Sequence, residues 1–305
     1  MTILLGTGII PALVEKSNRN EIRHAERLRQ HISTIIIIEI WAGALSDRVL
    51  ATEWELGMTE LTVKLADVPL RIRAIHPEME GFLRDYRTEE APAFTLSVEP
   101  QDLSRERQLD AESRAAEGLP PLKVSDAFLE TLAIYRKLAE KLLERDILLF
   151  HGSVIAVDGE AYLFTAKSGT GKSTHTRLWR ERFGERARMI NDDKPLLRIT
   201  DTGVLAYGTP WNGKHRLGEN LSAPLKAVCV LTRDTKNHIE PITAKEAFPM
   251  LLQQCYRPEE AEKTIKTLAL LDRLSRQTAL YRLGCNMEPE AAAVSYLGMQ
   301  EEKNQ

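Results

Sequence analysis

ILLFHGSVIAVDGEAYLFTAKSGTGKSTHTRLW, residues Ile147 to Trp179, is the stretch that decides the fold. Two apolar runs, Ile147 to Val157 and Ala161 to Thr165, flank Asp158-Gly159, and Asp-Gly between apolar strands is a strong hairpin signal. The second run leads straight into Ala166-Lys167-Ser168-Gly169-Thr170-Gly171-Lys172-Ser173-Thr174, then into a helical pattern through Leu178 and Trp179. This is a phosphate-binding loop pattern with Ala where the usual first residue is Gly. Gly169 and Gly171 let backbone N–H groups turn toward a β-phosphate without Cβ atoms in the way. A helix starting near Ser173 points its positive end at the same oxygens. Lys172 reaches the β- and γ-phosphates, and the Ser173 hydroxyl can ligate Mg²⁺. ATP and Mg²⁺ are therefore the expected cofactors.

A second phosphate-site element should be acidic and close a short strand. Ala187 to Ile190 is such a strand, followed by Asn191-Asp192-Asp193. One carboxylate suffices for the metal, and the other can act as base toward an acceptor hydroxyl. His151-Gly152 lies within the first hairpin strand, where the imidazole can orient a carboxylate or simply serve the sheet. His175, in the first helical turn, is expected to face solvent. A polar loop, Gly208 to Arg216, offers Trp211, Lys214, His215 and Arg216. Its cations can offset charge on a transferring phosphoryl group, or it is a solvated loop with a packed Trp.

The chain divides into three parts. Residues 1–57 are an extension of open status: Ile35 to Ile38 reads as a buried strand, yet the clean patterning begins only at Met58. Residues 58–121 form a small β-rich lobe and linker. Leu61, Val63 and Leu65 alternate, Val68, Leu70 and Ile72 repeat the pattern after Ala66-Asp67, and Phe94, Leu96 and Val98 add a strand. Gln101 to Pro121 is polar and reads as a linker or exposed excursion. Residues 122–305 form the phosphate-loop domain. It begins with a helix capped by Ser125 and running to about Arg145, with Phe128, Leu132, Tyr135, Leu138 and Leu142 on one face. Leu225 to Leu231 reads as a buried strand and Pro258 to Arg276 as a helix. Thr243 with Glu246 resembles a capping box, although Pro249 argues for a short or interrupted helix. Ala279 to Leu283 and Ala291 to Leu297 read as a final strand and helix.

Charge and composition exclude several classes. Lys and Arg number 41 against 44 Asp and Glu, a net charge of −3, without the whole-chain basic footprint of a nucleic-acid binder. No apolar run reaches the roughly 18 residues of a membrane span. Cys229, Cys255 and Cys285 form no C-x-x-C and read as buried small hydrophobes in a reducing, cytoplasmic setting. Self-association is compatible with all of this.

A hairpin bearing His-Gly, a phosphate-binding loop at its exit, and Asp-Asp about twenty residues later resemble the catalytic domain of HPr kinase/phosphorylase. The same core is similar to ATP-dependent phosphoenolpyruvate carboxykinase. The resemblance covers roughly residues 147 to 235. It implies an α/β fold of that type, with ATP phosphates on Gly169 to Ser173. It further implies Asp192 as general base, Asp193 on Mg²⁺ beside Ser173, and His151 next to them; the division of labour between the aspartates stays open. Lys214 and Arg216 then face the transition state with Lys172. Lys167 and Thr174 stand where the family has acidic residues, and Thr209 to Arg216 replaces its signature loop. These departures argue against protein HPr as substrate and against phosphorolysis. The chain looks more like the HPr-kinase-related proteins beside peptide-modification systems, whose acceptor is a hydroxyl of a peptide, protein or small molecule. Two other readings compete: a nucleotide-gated peptide-binding module without transfer, and a carboxykinase.

Overall fold

The computed structural model describes residues 58–121 and 123–300; the extension before them lies outside the described residues. Thr59–Leu65 (β1) and Val68–Ala74 (β2) pair antiparallel, with Val63 opposite Leu70 and Leu65 opposite Val68. The register puts the alternate apolar residues on one buried face. Ala66 and Asp67 both take positive φ, 48° and 59°, in the tight turn between them. The short helix Glu78–Phe82 (α1) follows, and Thr95–Ser97 (β3) adds to β2 in parallel.

The polar stretch after β3 is not a linker. Pro100–Ala116 (α2) is a helix of 17 residues, started by a capping box between Glu99 and Asp102 with Pro100 in the first turn. It lacks an apolar stripe and instead docks through charge onto Asp126–Leu143 (α3). Arg136 of α3 donates to Asp102 at 3.1 Å and to Glu106 at 2.6 Å, and Lys137 also pairs with Asp102. Ser125 caps α3 as expected, its Oγ accepting from Phe128 N at 3.2 Å. The buried face of α3 is rotated from the expected one. Leu129, Ala133, Ile134, Leu138 and Leu142 are buried, while Phe128 is 44% exposed. The helix packs against the small sheet and the larger one together, so its apolar arc is broad.

The larger sheet has nine strands: Ile147–Leu149 (β4), Ser153–Val157 (β5), Glu160–Thr165 (β6), Ala187–Asn191 (β7), Leu196–Ile199 (β8), Val204–Tyr207 (β9), Ser222–Arg233 (β10), His238–Pro241 (β11) and Ala279–Cys285 (β12). The order is β4-β8-β9-β10-β6-β5-β7, with β12 parallel to β10 and β11 on β12. Asp158 and Gly159, at φ 53° and 86°, close the β5–β6 hairpin that the sequence predicted. The long apolar run before it is two strands, not one. The chain breaks at residues 150–152, where a Cβ on Gly152 would lie 2.5 Å from Leu163 Cδ1. His151 therefore sits in a gap between strands rather than inside one.

Helices Lys172–Phe183 (α4) and Glu290–Gly298 (α7) cover one face of β5 and β6, over Ile155, Tyr162 and Phe164. Ala244–Gln254 (α5) and Ala261–Gln277 (α6) cover the other, over Val154 and Leu163. Alternate strand residues thus enter two different cores. The Thr243–Glu246 capping box is present, and α5 continues through Pro249 to complete 11 residues. Cys229 and Cys255 are buried, and Cys285 is partly so. Among the described residues no helix is long and apolar enough to cross a membrane.

Glu130, fully buried in α3, accepts from Ile75 N at 2.5 Å and His76 N at 2.9 Å, with His76 Nδ1 at 2.8 Å. This carboxylate ties the end of β2 to the helix. Glu130→Ala leaves two backbone donors unpaired and should cost roughly 3 kcal/mol or more, read from urea unfolding. Glu130→Gln keeps an acceptor oxygen and should cost distinctly less.

Candidate functional site

Beyond β6 the chain turns through the glycine loop. Gly169 and Gly171 take φ of +75° and +127°, angles that L side chains rarely adopt. A Cβ at either would meet nothing within 4 Å, so backbone angle and not crowding demands glycine. Gly171 precedes α4 with no side-chain cap, and no acidic residue occupies the first turn. The positive end of α4 is left open to an anion. Lys172 is buried, and its Nζ donates to Ala166 O at 3.2 Å. Burial pushes its pKa down; Asp193 opposes that shift and Lys194 adds to it. Lys167, Ser168 and Ser173 are exposed, and Thr170 and Thr174 are half-buried. Arg233, at the end of β10, donates to Gly169 O at 2.5 Å and Thr170 O at 3.4 Å. It lies some sixty residues away in sequence, and no local motif announces it.

The carboxylates are placed by Asn191, the last residue of β7, whose side chain is fully buried. Its Oδ1 accepts from Asp193 N at 2.8 Å and Lys194 N at 2.6 Å. Its Nδ2 donates to Thr209 O and Thr209 Oγ1, both at 3.1 Å, and to Trp211 O at 3.3 Å. The Asp193 carboxylate has His151 Nε2 at 3.3 Å and Lys194 Nζ at 3.2 Å. His151 and Gly152 fill the strand gap by donating to Gln254 O at 2.7 Å and Asp193 O at 3.0 Å. Burial, then Lys194 and Lys172, push the His151 pKa down to about 4 against the pull of Asp193. At neutral pH this imidazole is uncharged, so its contact with Asp193 is not an ion pair. Lys194 was missed by sequence reasoning, although it directly follows the aspartate pair.

Asp192 has a different partner. Its Oδ1 accepts from Gly213 N at 2.6 Å, and a Cβ on Gly213 would come within 2.8 Å of Oδ2. The loop carrying Gly213 is anchored by Trp211. That ring is buried, donates to Thr131 O at 3.0 Å, and meets Phe82 and Tyr135 edge-on at 5.6 Å. Lys214, His215 and Arg216 stand exposed, with no side-chain partner among the described residues. The structure thus brings Lys172, His151 and Asp193 into one electrostatic cluster with Lys194. Asp192 is covered by the 209–216 loop, whose cations reach into solvent.

His175 does not face solvent. It is 2% exposed, wedged against Phe164, with Nε2 3.0 Å from Ser295 Oγ and accepting from Trp179 Nε1 at 3.2 Å. Packing of α7 across the first turn of α4 covers it, which no local pattern foretold.

A family model described as "SynChlorMet cassette protein ScmC" matches residues 124–286, more than half of the chain. A solved structure described as the Hpr(Ser) kinase/phosphatase from Coxiella burnetii aligns at 13% identity. The alignment covers 42% of this chain and 97% of that one, with a TM-score of 0.24, and carries no argument at that level. No curated protein matches.

Burial alone pushes His175 down to about 4 from 6.5. A depressed folded pKa contributes stability that is present above pH 6.5 and lost as pH falls through about 4, because the unfolded chain binds the proton first. The loss should approach roughly 3 kcal/mol. Urea unfolding at pH 7 and pH 4 measures it, and His175→Gln should flatten that part of the profile.

Proposed function

The chain belongs to the SynChlorMet cassette protein ScmC family, and we propose that it is an ATP- and Mg²⁺-dependent kinase acting on a hydroxyl. The acceptor belongs to a peptide, a protein or a small molecule. One observation carries this reading: Lys172 of the glycine loop shares one electrostatic neighbourhood with Asp193 and His151, Asp193 favouring the charged lysine and Lys172 helping to push the His151 imidazole down. A glycine-rich turn serving only the backbone has no reason to present a buried lysine to a carboxylate at the end of another strand. The helix N-terminus left open beside it supports the same reading.

The donor set suits Mg²⁺. Among the described residues no three His, Cys, Asp or Glu side chains converge, and a phosphate-site Mg²⁺ takes only one or two protein oxygens beside phosphate and water. Asp193 and the Ser173 hydroxyl would hold it, and when bound it would offset charge on the β- and γ-oxygens. The loop amides and Lys172 hold the phosphates. His151, neutral, keeps Asp193 in place. Gly213 N–H fixes one oxygen of Asp192, and Oδ2 has no hydrogen-bond partner among the described residues. That oxygen takes the hydroxyl proton as the acceptor oxygen bonds to the γ-phosphorus and the β–γ bridging bond breaks, releasing ADP. Lys214 and Arg216, exposed on the loop that covers Asp192, are available to the charge of the phosphoryl group or of the acceptor.

γ-Labelled ATP incubated with candidate hydroxyl peptides tests this reading. Asp192→Ala should reduce transfer by about 10²–10⁴-fold while ATP binding survives; unchanged transfer would remove the base assignment. Lys172→Ala should weaken ATP binding itself. Binding with no transfer favours the nucleotide-gated module, and carbon dioxide released from oxaloacetate favours a carboxykinase.

A further inference from the structure

The loop over Asp192 carries two cations and an imidazole in succession, Lys214, His215 and Arg216, all exposed and without a side-chain partner among the described residues. Elsewhere on the surface such groups are paired: Arg73 with Glu60, Arg107 with Asp126, Arg186 with Asp158. The carboxylates of the surrounding segments are all engaged by other groups. Asp192 accepts from Gly213 N, and Asp193 faces His151 and Lys194. Glu219 is clasped by Arg188, and Asp85 pairs with Arg84 at 3.4 Å. A chain of net charge −3 thus keeps a positive surface unneutralised beside the aspartate pair. The loop is anchored by the buried Trp211, and Arg216 N donates to Gly213 O at 3.1 Å to close a turn.

Tyr135 of α3 stands next to this loop. Its ring lies between Trp211, at 5.6 Å, and Tyr256, at 6.5 Å. Trp211 O is held by Asn191, which shapes the turn of Asp193, and Tyr256 stands two residues past Gln254, whose carbonyl takes the His151 N–H. The ring is therefore flanked by the segments that set the aspartates and the histidine. It is half-buried, and its hydroxyl has no hydrogen-bond partner among the described residues. A tyrosine serving only to pack normally finds a partner for its O–H. Burial, then Asp193, push its pKa up, so the phenol keeps its proton and can donate. Cations on an open loop suit a chain laid across them; a small molecule would be enclosed in a concave pocket.

We propose that the acceptor is an acidic peptide: carboxylates flanking its reacting hydroxyl pair with Lys214 and Arg216, and the Tyr135 O–H donates to one of its main-chain carbonyls. This inference narrows the acceptor of the kinase reading and rests on that reading for the transfer step alone.

Dye-labelled peptides Glu-Glu-Ser-Glu-Glu, Gln-Gln-Ser-Gln-Gln and Lys-Lys-Ser-Lys-Lys, titrated with the full chain and followed by fluorescence anisotropy, test the surface. The acidic peptide should bind at least about tenfold tighter than the neutral one, and its affinity should fall as salt is raised. The exposed double substitution Lys214→Gln with Arg216→Gln should erase that difference. Tyr135→Phe, which keeps the ring, should weaken the acidic peptide about threefold with an unchanged urea midpoint. A wild-type chain that binds the neutral or basic peptide as tightly as the acidic one, or a double variant that retains the preference, overturns the acidic acceptor. Unchanged binding in Tyr135→Phe overturns the tyrosine contact. The same peptides with γ-labelled ATP separate the two readings. Selective binding of the acidic peptide without label on its serine upholds the surface and favours the nucleotide-gated module over the kinase. Label passing equally to the acidic and neutral peptides upholds the kinase and overturns the surface.

Discussion

The site hangs on the carboxamide of Asn191. A fully buried amide must find partners for both its donor and its acceptor ends, and this one uses both to join segments that are otherwise separate. Its oxygen shapes the turn that presents Asp193 and Lys194, and its nitrogen holds the carbonyls of Thr209 and Trp211. Trp211 in turn packs into the core shared by the small sheet and α3. The end of β7, the loop over Asp192 and the N-terminal β region are therefore positioned by one side chain. An apolar substitute could fill the volume but would leave Asp193 N, Lys194 N and Trp211 O without partners, Thr209 O alone keeping a donor in Asn212 Nδ2.

Much of this fold is legible where the determinants are local. Asp158-Gly159 and Ala66-Asp67 give their turns because few residues accept positive φ in succession, and the neighbouring alternation sets the register. Ser125 and Thr243 cap helices because their hydroxyls meet N–H groups three residues on. What failed has a common cause. Helix α2 is held by ion pairs to Arg136 and Lys137, partners invisible to any window of its own sequence. The run from Ile147 to Val157 is buried on both faces, so no alternation marks its break. Strands β8 and β9 are four residues each, too short to carry a period.

The site followed the same division. The glycine loop, Lys172 and the aspartate pair could be named from spacing, because backbone angle and helix entry are local demands. Arg233, Gln254 and the burial of His175 could not, since each depends on strands or helices arriving from later in the chain. Charge gives a parallel lesson. A chain of net charge −3 still concentrates enough positive potential around His151 for Lys194 and Lys172 to help keep that ring neutral. Local arrangement outweighs the total.

The brace from Arg233 to the glycine loop has one further consequence. In a trans peptide unit the carbonyl and the following N–H point in opposite directions. By drawing the carbonyls of Gly169 and Thr170 toward itself, the guanidinium turns the next amides away from it. The Thr170 amide closes the turn onto Lys167 O. The loop's shape is thus braced within the fold itself, and for the phosphate ligand proposed above the ordering entropy would be borne in folding and not in association. On the proposed reading, such a ligand meets a preorganised cradle.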